Sequence, residues 1–227
     1  MIAAARAHGR IALDERSGKH LLASFGIIVP KSIVVSDARD VARLLAALNP
    51  PFAAKVMSPD ILHKSEAGGV AINLQNATEV ERALAMMMAA PQIRSARVDG
   101  YLIEEMALPG HELVVGAVRD PNFGPLVMVG LGGIFVEVLA DVAFRICPIT
   151  RIDAHEMLAD LKGAAILAGA RGRKPASHDA IIDVLLKLGG SNGLLMQHAD
   201  DLKEADINPL IVSESGAVAV DARFVLS

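Results

Sequence analysis

Tryptophan is absent from these 227 residues, tyrosine occurs once and phenylalanine six times. The formal net charge is -4. A face of basic residues and stacking rings has little to build on, so no nucleic-acid partner is expected. Cysteine is limited to Cys147, which excludes an intrachain disulfide and a cysteine zinc cluster. No stretch approaches the ~20 uncharged apolar residues of a membrane span. The densest apolar run, residues 84–90, follows Glu79, Glu81 and Arg82, and no membrane partner is expected. The first fifteen residues lack the apolar core of a signal peptide, so a reducing, cytoplasmic location is the simplest expectation. The signatures G-x-x-x-x-G-K-[ST], G-x-G-x-x-G, G-x-S-x-G and H-E-x-x-H are missing as well.

What is present is apolar bulk. Hydrophobic residues make up 52% of the chain and charged residues 21%. That balance excludes disorder, and a chain of this size buries roughly 70–75% of its extended surface. Ser36 is placed to cap a helix with Val41, Leu44, Leu45 and Leu48 on one stripe, stopped by Pro50-Pro51. Residues 51–57 read as a buried strand, 58–69 as a loop and 70–74 as a strand. Thr78 with Glu81 reads as a capping box over Val80, Leu84, Met87 and Met88. Gly100 is a seam between subdomains. Strands follow at 101–106 and 111–120, with β character continuing over 125–133 and 134–149. Asp153 with Glu156 is expected to cap a helix with Met157, Leu161 and Ala165 inward. Ser177 is expected to cap another with Ile181, Ile182, Leu185 and Leu186 buried, and a hairpin closes the chain. Paired strands interleaved with helices, without strict βαβ alternation, indicate an α+β fold in two lobes, with α/β-type layers.

Four features carry chemistry. Lys55 lies inside an apolar strand, where an ammonium needs either an anion or a way out to solvent. The loop from His63 through Lys64 to Gly68 and Gly69 is either an ordinary glycine turn or a backbone cradle for an anion. In the second case a neutral His63 imidazole is available as base or phosphoryl acceptor. In the terminal hairpin, pairing Ser213 with Gly216 places Asn208 opposite Asp221, their Cβ atoms about 5 Å apart. Asp206 and Arg223 share that face by parity, and facing oxygen donors suit Mg²⁺. The bland alternative is a solvated polar face, and Pro209 points to an edge strand or a bulge. Glu104 and Glu105 followed by Glu112 form a weaker pattern. Arg119, Arg145 and Arg171 are either phosphate clamps or surface ion pairs. His111, His155, His178 and His198 show no metal-ligand spacing and are expected at the surface.

Together, residues 55–70, 103–125, 130–148, 167–172 and 204–223 resemble the ATP-grasp subunit of ADP-forming acyl-CoA synthetases, relatives of the succinyl-CoA synthetase β subunit. The resemblance implies an ATP-grasp fold of two lobes gripping ATP or ADP with Mg²⁺. Residues 1–17 would be an N-terminal extension, 18–100 the lobe with the phosphate-covering loop, and 101–227 the lobe with the magnesium hairpin. It implies Lys55 against phosphate, with Lys64, Gly68 and Gly69 in the cover. Glu104, Glu105 and Met106 would form the adenine hinge, and Glu112 would bind ribose. Arg145 and Arg223 would lie on the phosphate side, with Asn208 and Asp221 on magnesium and Asp206 assisting. His63 would relay a phosphoryl group to or from a partner's phosphohistidine. The reaction implied is acyl-CoA + ADP + phosphate ⇌ carboxylate + CoA + ATP. The CoA-binding parts are absent from this sequence, so an α-type partner and a hetero-oligomer are expected. A self-contained carboxylate–amine ligase and a non-catalytic nucleotide-binding regulatory subunit are the alternatives.

Overall fold

A computed structural model describes residues 1–61, 63–133, 141–169 and 174–227. The chain forms two units, Pro30–Ala107 on one side and Met1–Val29 with Leu108–Ser227 on the other. Those bounds differ from the ones read off the sequence, after residues 17 and 100. The helix from Glu15 to Ser24 is packed against the end of the chain. Its Gly18 is approached to 3.1 Å by both the Ala222 carbonyl and the Phe224 ring, measured from where a Cβ would stand, and Leu13 N–H donates to the Phe224 carbonyl. Gly100 opens a strand rather than marking the seam, which falls ahead of Leu108-Pro109-Gly110.

The unit Pro30–Ala107 is a four-stranded antiparallel sheet in the order β1-β4-β2-β3, built from β1 (Ser32–Val35), β2 (Phe52–Met57), β3 (Val70–Leu74) and β4 (Gly100–Glu105). Helices α3 (Val41–Leu45), α4 (Ala77–Ala89) and α5 (Pro91–Arg94) accompany it. Its core joins Phe52, Ala54, Val56, Tyr101 and Ile103 of the sheet to Val80, Leu84 and Met87 of α4. Two caps differ from expectation. A 3-10 turn at Ala38–Asp40 precedes α3, and Asp37 rather than Ser36 accepts the capping N–H. Helix α4 starts two residues earlier than Thr78 implied, because Asn76 accepts from Glu79 N–H while Glu79 reaches back to Gln75 N–H. Met88 then falls outside the buried stripe and is exposed.

The second unit has a six-stranded antiparallel sheet containing β5 (His111–Asp120), β6 (Gly124–Leu131), β7 (Val142–Ile146), β8 (Leu202–Ser213), β9 (Gly216–Ala219) and β10 (Arg223–Leu226). The path is β10-β8-β5-β6-β7, with β9 also on β8. Helices α1 (Ile2–Ala7), α2 (Glu15–Ser24), α6 (Arg151–Ala159), α7 (Ala164–Leu167), α8 (His178–Gly189) and α9 (Leu194–Gln197) belong to this unit. Its core takes Ile181, Ile182 and Leu185 from α8 and Leu113, Val115, Val127, Val129, Ile207 and Leu210 from the sheet. Ser177 caps α8 as the sequence suggests, whereas Leu186 is only partly buried. Thr150 caps α6, with Asp153 as the returning partner of the capping box rather than the cap itself. Ala165 is exposed. The expected β character over 134–140 falls outside the described residues. Among the described residues no helix is long and apolar enough to cross a membrane.

Cys147 is buried, and burial pushes its thiol up to about 11. A raised value means the folded state holds the proton more tightly, so this group's contribution to stability is complete below about 9 and is lost as pH rises toward about 11. At pH 8 we expect negligible labelling of the native protein by a water-soluble disulfide reagent and one thiol per chain in guanidinium. Rapid native labelling would contradict this burial.

Candidate functional site

Strand β8 organises the larger unit. On one edge it pairs with β5, and on the other with β9 and then β10. Ser213 stands opposite Gly216, as the hairpin reading requires, and the same register resumes beyond the break, where Arg223 stands opposite Asp206. Val220 N–H donates to the Pro209 carbonyl inside the break. Continuing that register puts Asp221 across from Asn208. The pairing of β5 with β8 shifts between Leu113 and Val115, so that Asn208 and Pro209 together oppose one residue. This is a bulge of the kind a strand proline favours.

The alternation of β8 sorts the chemistry. Ala205, Ile207, Leu210 and Val212 enter the core, while Asp206 and Asn208 are exposed on the opposite face. Arg223 is exposed, and Asp221 is half-buried with Oδ1 accepting from Ala222 N–H at 2.8 Å. Desolvation first, and then the charge of Asp221, raise the Asp206 carboxyl from its ordinary value, with Arg223 opposing. Two carboxylates that disfavour each other, next to an amide oxygen, form a hard donor set. It suits a cation such as Mg²⁺, which uses one or two carboxylates and keeps waters. Among the described residues no group of three or more His, Cys, Asp or Glu gathers as a metal site.

The same alternation separates Arg145 from this face. Arg145 pairs with Val127, a core residue, and therefore points toward the helices. There it meets Asp160 at 2.7 Å and Glu156 at 3.7 Å. Its neighbours Phe144 and Ile146 point the other way and are 50% and 51% exposed. Of the two readings of Arg145, the structure shows the ion pair, with Glu156 on α6 and Asp160 just beyond it. Arg119 is likewise a surface partner of Asp200. Arg171 falls outside the described residues.

Glu112, on β5, is exposed. Its backbone lies 2.8 Å from where a Gly132 Cβ would be, and its carbonyl accepts from Gly132 N–H at 2.7 Å. Beside it, His111 is buried rather than on the surface, with Nε2 2.8 Å from the Lys174 carbonyl. The signal was available, since His111 shares the parity of Leu113 and Val115.

In the smaller unit Lys55 is buried, and the anion it needs is Glu104, with Nζ 3.0 Å from Oε2. Glu105 accepts from both Asn49 N–H and Asn49 Nδ2, and its own N–H donates to the Lys31 carbonyl. Met106 N–H donates to Pro51. These bonds anchor the strand end that carries the hinge candidates within its own unit. The loop carries His63 exposed and Lys64 half-buried. It is closed by Ala67, Gly68 and Gly69 N–H donating to the His63, Ser65 and Lys64 carbonyls. Gly68 has φ +71, a left-handed backbone that favours glycine. Gly69 is glycine for another reason: a Cβ there would stand 2.4 Å from Val56 Cγ1. Because valine is stiff, Gly69→Ala should destabilise the protein by roughly 1–3 kcal/mol. Thermal or urea denaturation would show it, and an unchanged midpoint would count against the close approach.

Comparison with known proteins follows this geometry. Residues 4–226 match the family profile described as the ATP-grasp domain. The chain is 43% identical over 216 residues to the acetate–CoA ligase (ADP-forming) I subunit β of Pyrococcus furiosus, covering 94% of this chain and 91% of that one. It is 44% identical over 214 residues to the acetate–CoA ligase (ADP-forming) I of Archaeoglobus fulgidus, covering 92% of this chain but 30% of that longer protein. Its fold superposes with a TM-score of 0.94, at 35% identity, on a Candidatus Korarchaeum cryptofilum dinucleotide-forming acetyl-coenzyme A synthetase 1 in complex with coenzyme A, Ca-AMPCP and HgCl⁺. That match covers 100% of this chain and 98% of that one. The chain belongs to the ATP-grasp family, on the branch that holds the β subunits of ADP-forming acetate–CoA ligases.

Proposed function

We propose that this chain is the nucleotide-binding, phosphoryl-transferring component of an ADP-forming acyl-CoA synthetase, which interconverts acyl-CoA, ADP and phosphate with carboxylate, CoA and ATP. The observation that carries the reading is the hairpin, where Asp206 and Asn208 stand on one sheet face with Asp221 in register across from Asn208. A relative from Candidatus Korarchaeum cryptofilum, 35% identical, is described with Mg-AMPPCP and a phosphohistidine segment pointing towards its nucleotide-binding site.

Asn208 and Asp221, helped by Asp206, would hold Mg²⁺. The ion, when bound, neutralises charge on phosphate oxygens. Lys55 supplies a fixed positive charge to the phosphates, and the glycine loop closed over residues 64–69 covers them with the charge of Lys64. Arg223 adds charge beside Asp206, and Glu112 offers its exposed carboxylate to ribose hydroxyls. The backbone at Glu104, with Glu105 and Met106, lines the base. His63, exposed on its loop, accepts the phosphoryl group on a neutral ring nitrogen as the bond to the leaving oxygen breaks, then passes it on. Two short in-line transfers replace one long one. The partner is an α-type chain that carries the CoA-binding and phosphohistidine functions, and the assembly is a hetero-oligomer. The lone, buried Cys147 suits a reducing, cytoplasmic setting.

Calorimetric titration with ADP and ATP, with and without Mg²⁺, tests the reading. We expect micromolar, magnesium-dependent binding that weakens at least about tenfold, ~1.4 kcal/mol, in Asp221→Ala. Arg145→Ala should keep the affinity within about twofold and cost at most about 1 kcal/mol of stability, as a partly exposed ion pair does. Absence of binding by the wild-type chain under every condition would defeat the proposal. Without its partner the purified chain should not synthesise acyl-CoA, and robust turnover by the chain alone would remove the need for an α-type subunit.

A further inference from the structure

Among the described residues of the unit Pro30–Ala107, Lys55 and Glu104 are the buried charged side chains, at 8% and 1% side-chain exposure. Their placement follows from strand alternation. Phe52, Ala54, Val56, Tyr101 and Ile103 turn toward the helices, so Ala53, Lys55, Leu102 and Glu104 occupy the other face. In the β2–β4 ladder Lys55 stands opposite Leu102 and Ala53 opposite Glu104. The lysine and the glutamate are therefore diagonal neighbours, a spacing that long side chains bridge. Glu104 is held from both sides, since β4 pairs with β2 and with β1, where Ser32 is its partner. Turning its carboxylate away would mean disrupting the middle of the sheet.

We infer that Glu104 is a positioning residue for Lys55: its carboxylate holds the ammonium charged and fixed on that face of the sheet, ready for phosphate, and does not itself touch the nucleotide. This rests on the reading of Lys55 as a phosphate contact. A buried ammonium that loses its anion withdraws toward solvent or sheds its proton, and either change removes it from an incoming phosphate. The cis-acting partner is the shorter route to a reliable cation than a lysine left to find its own place.

The test is a coupling measurement on the full chain, with Mg-ADP as the probe in calorimetry. Lys55→Met and Glu104→Gln should each weaken binding by about tenfold or more, as expected when a buried pair is broken. Glu104→Asp, which keeps the charge, should recover part of the loss. Glu104→Gln introduced into Lys55→Met should change the affinity less than about twofold, because the residue acts only through the lysine. Unchanged affinity in Glu104→Gln, or an equal loss in both backgrounds, would overturn the assignment and make Glu104 structural or a nucleotide contact. If Glu104→Gln does not fold, the comparison of Lys55→Met with Lys55→Met/Glu104→Gln decides alone: equal affinities support the proposal and a further loss overturns it. Lys55→Met binding like wild type would defeat the reading of Lys55 itself, a result distinct from failure of Glu104 alone.

Discussion

A twelve-residue strand paired along both edges cannot slip without turning itself inside out. In β8 a shift of one residue would carry Asp206 and Asn208 into the core and expel Ile207 and Leu210. Burying a carboxylate without a partner costs far more than the exposed leucine would, so one register is strongly favoured. The break between β9 and β10 keeps that register, and it is there that Asp221 sits. The polar face of the larger unit is thus a by-product of packing its apolar face. Hydrophobic burial supplies the force, and alternation converts it into a placement of acids.

The smaller unit solves a different problem. A charge inside a sheet is unstable by itself, and the unit answers with Glu104 from the neighbouring strand rather than with solvent. Its glycine loop is likewise shaped from below: Gly69 is dictated by Val56 in the strand beneath, and Gly68 by the left-handed turn. The groups read as functional are therefore constrained by the framework before any ligand is considered.

The terminal hairpin was legible because two-residue turns fix register, and register propagates along a strand. The apolar faces of α4 and α8 were legible from their spacing. The partners of Arg145 were not, because Glu156 and Asp160 lie on α6 and just beyond it, and no local pattern in the run Val142–Ile146 names them. The ion-pair partner of Glu104 was hidden in the same way. Its residue type invited a ligand role, while its partner lies 49 residues upstream on a strand whose pairing no local pattern reveals. The unit boundaries were missed for a topological reason, because the sequence gives no local mark of a chain that leaves one unit at Val29 and returns to it at Leu108.

That detour has a consequence for how the protein is made. The bridge from Ala12 to Val225 and the ion pair from Arg6 to Asp201, 195 positions apart, close only when almost the whole chain exists. Leu21 and Leu22 of α2 belong to a core most of whose members come after residue 107. The unit Pro30–Ala107 has a core of its own, so its packing does not draw on the strands that follow it. Assembly of the larger unit is governed by contacts of very long sequence separation, the slowest kind to form. The smaller unit is able to settle early, while the larger one waits for β10.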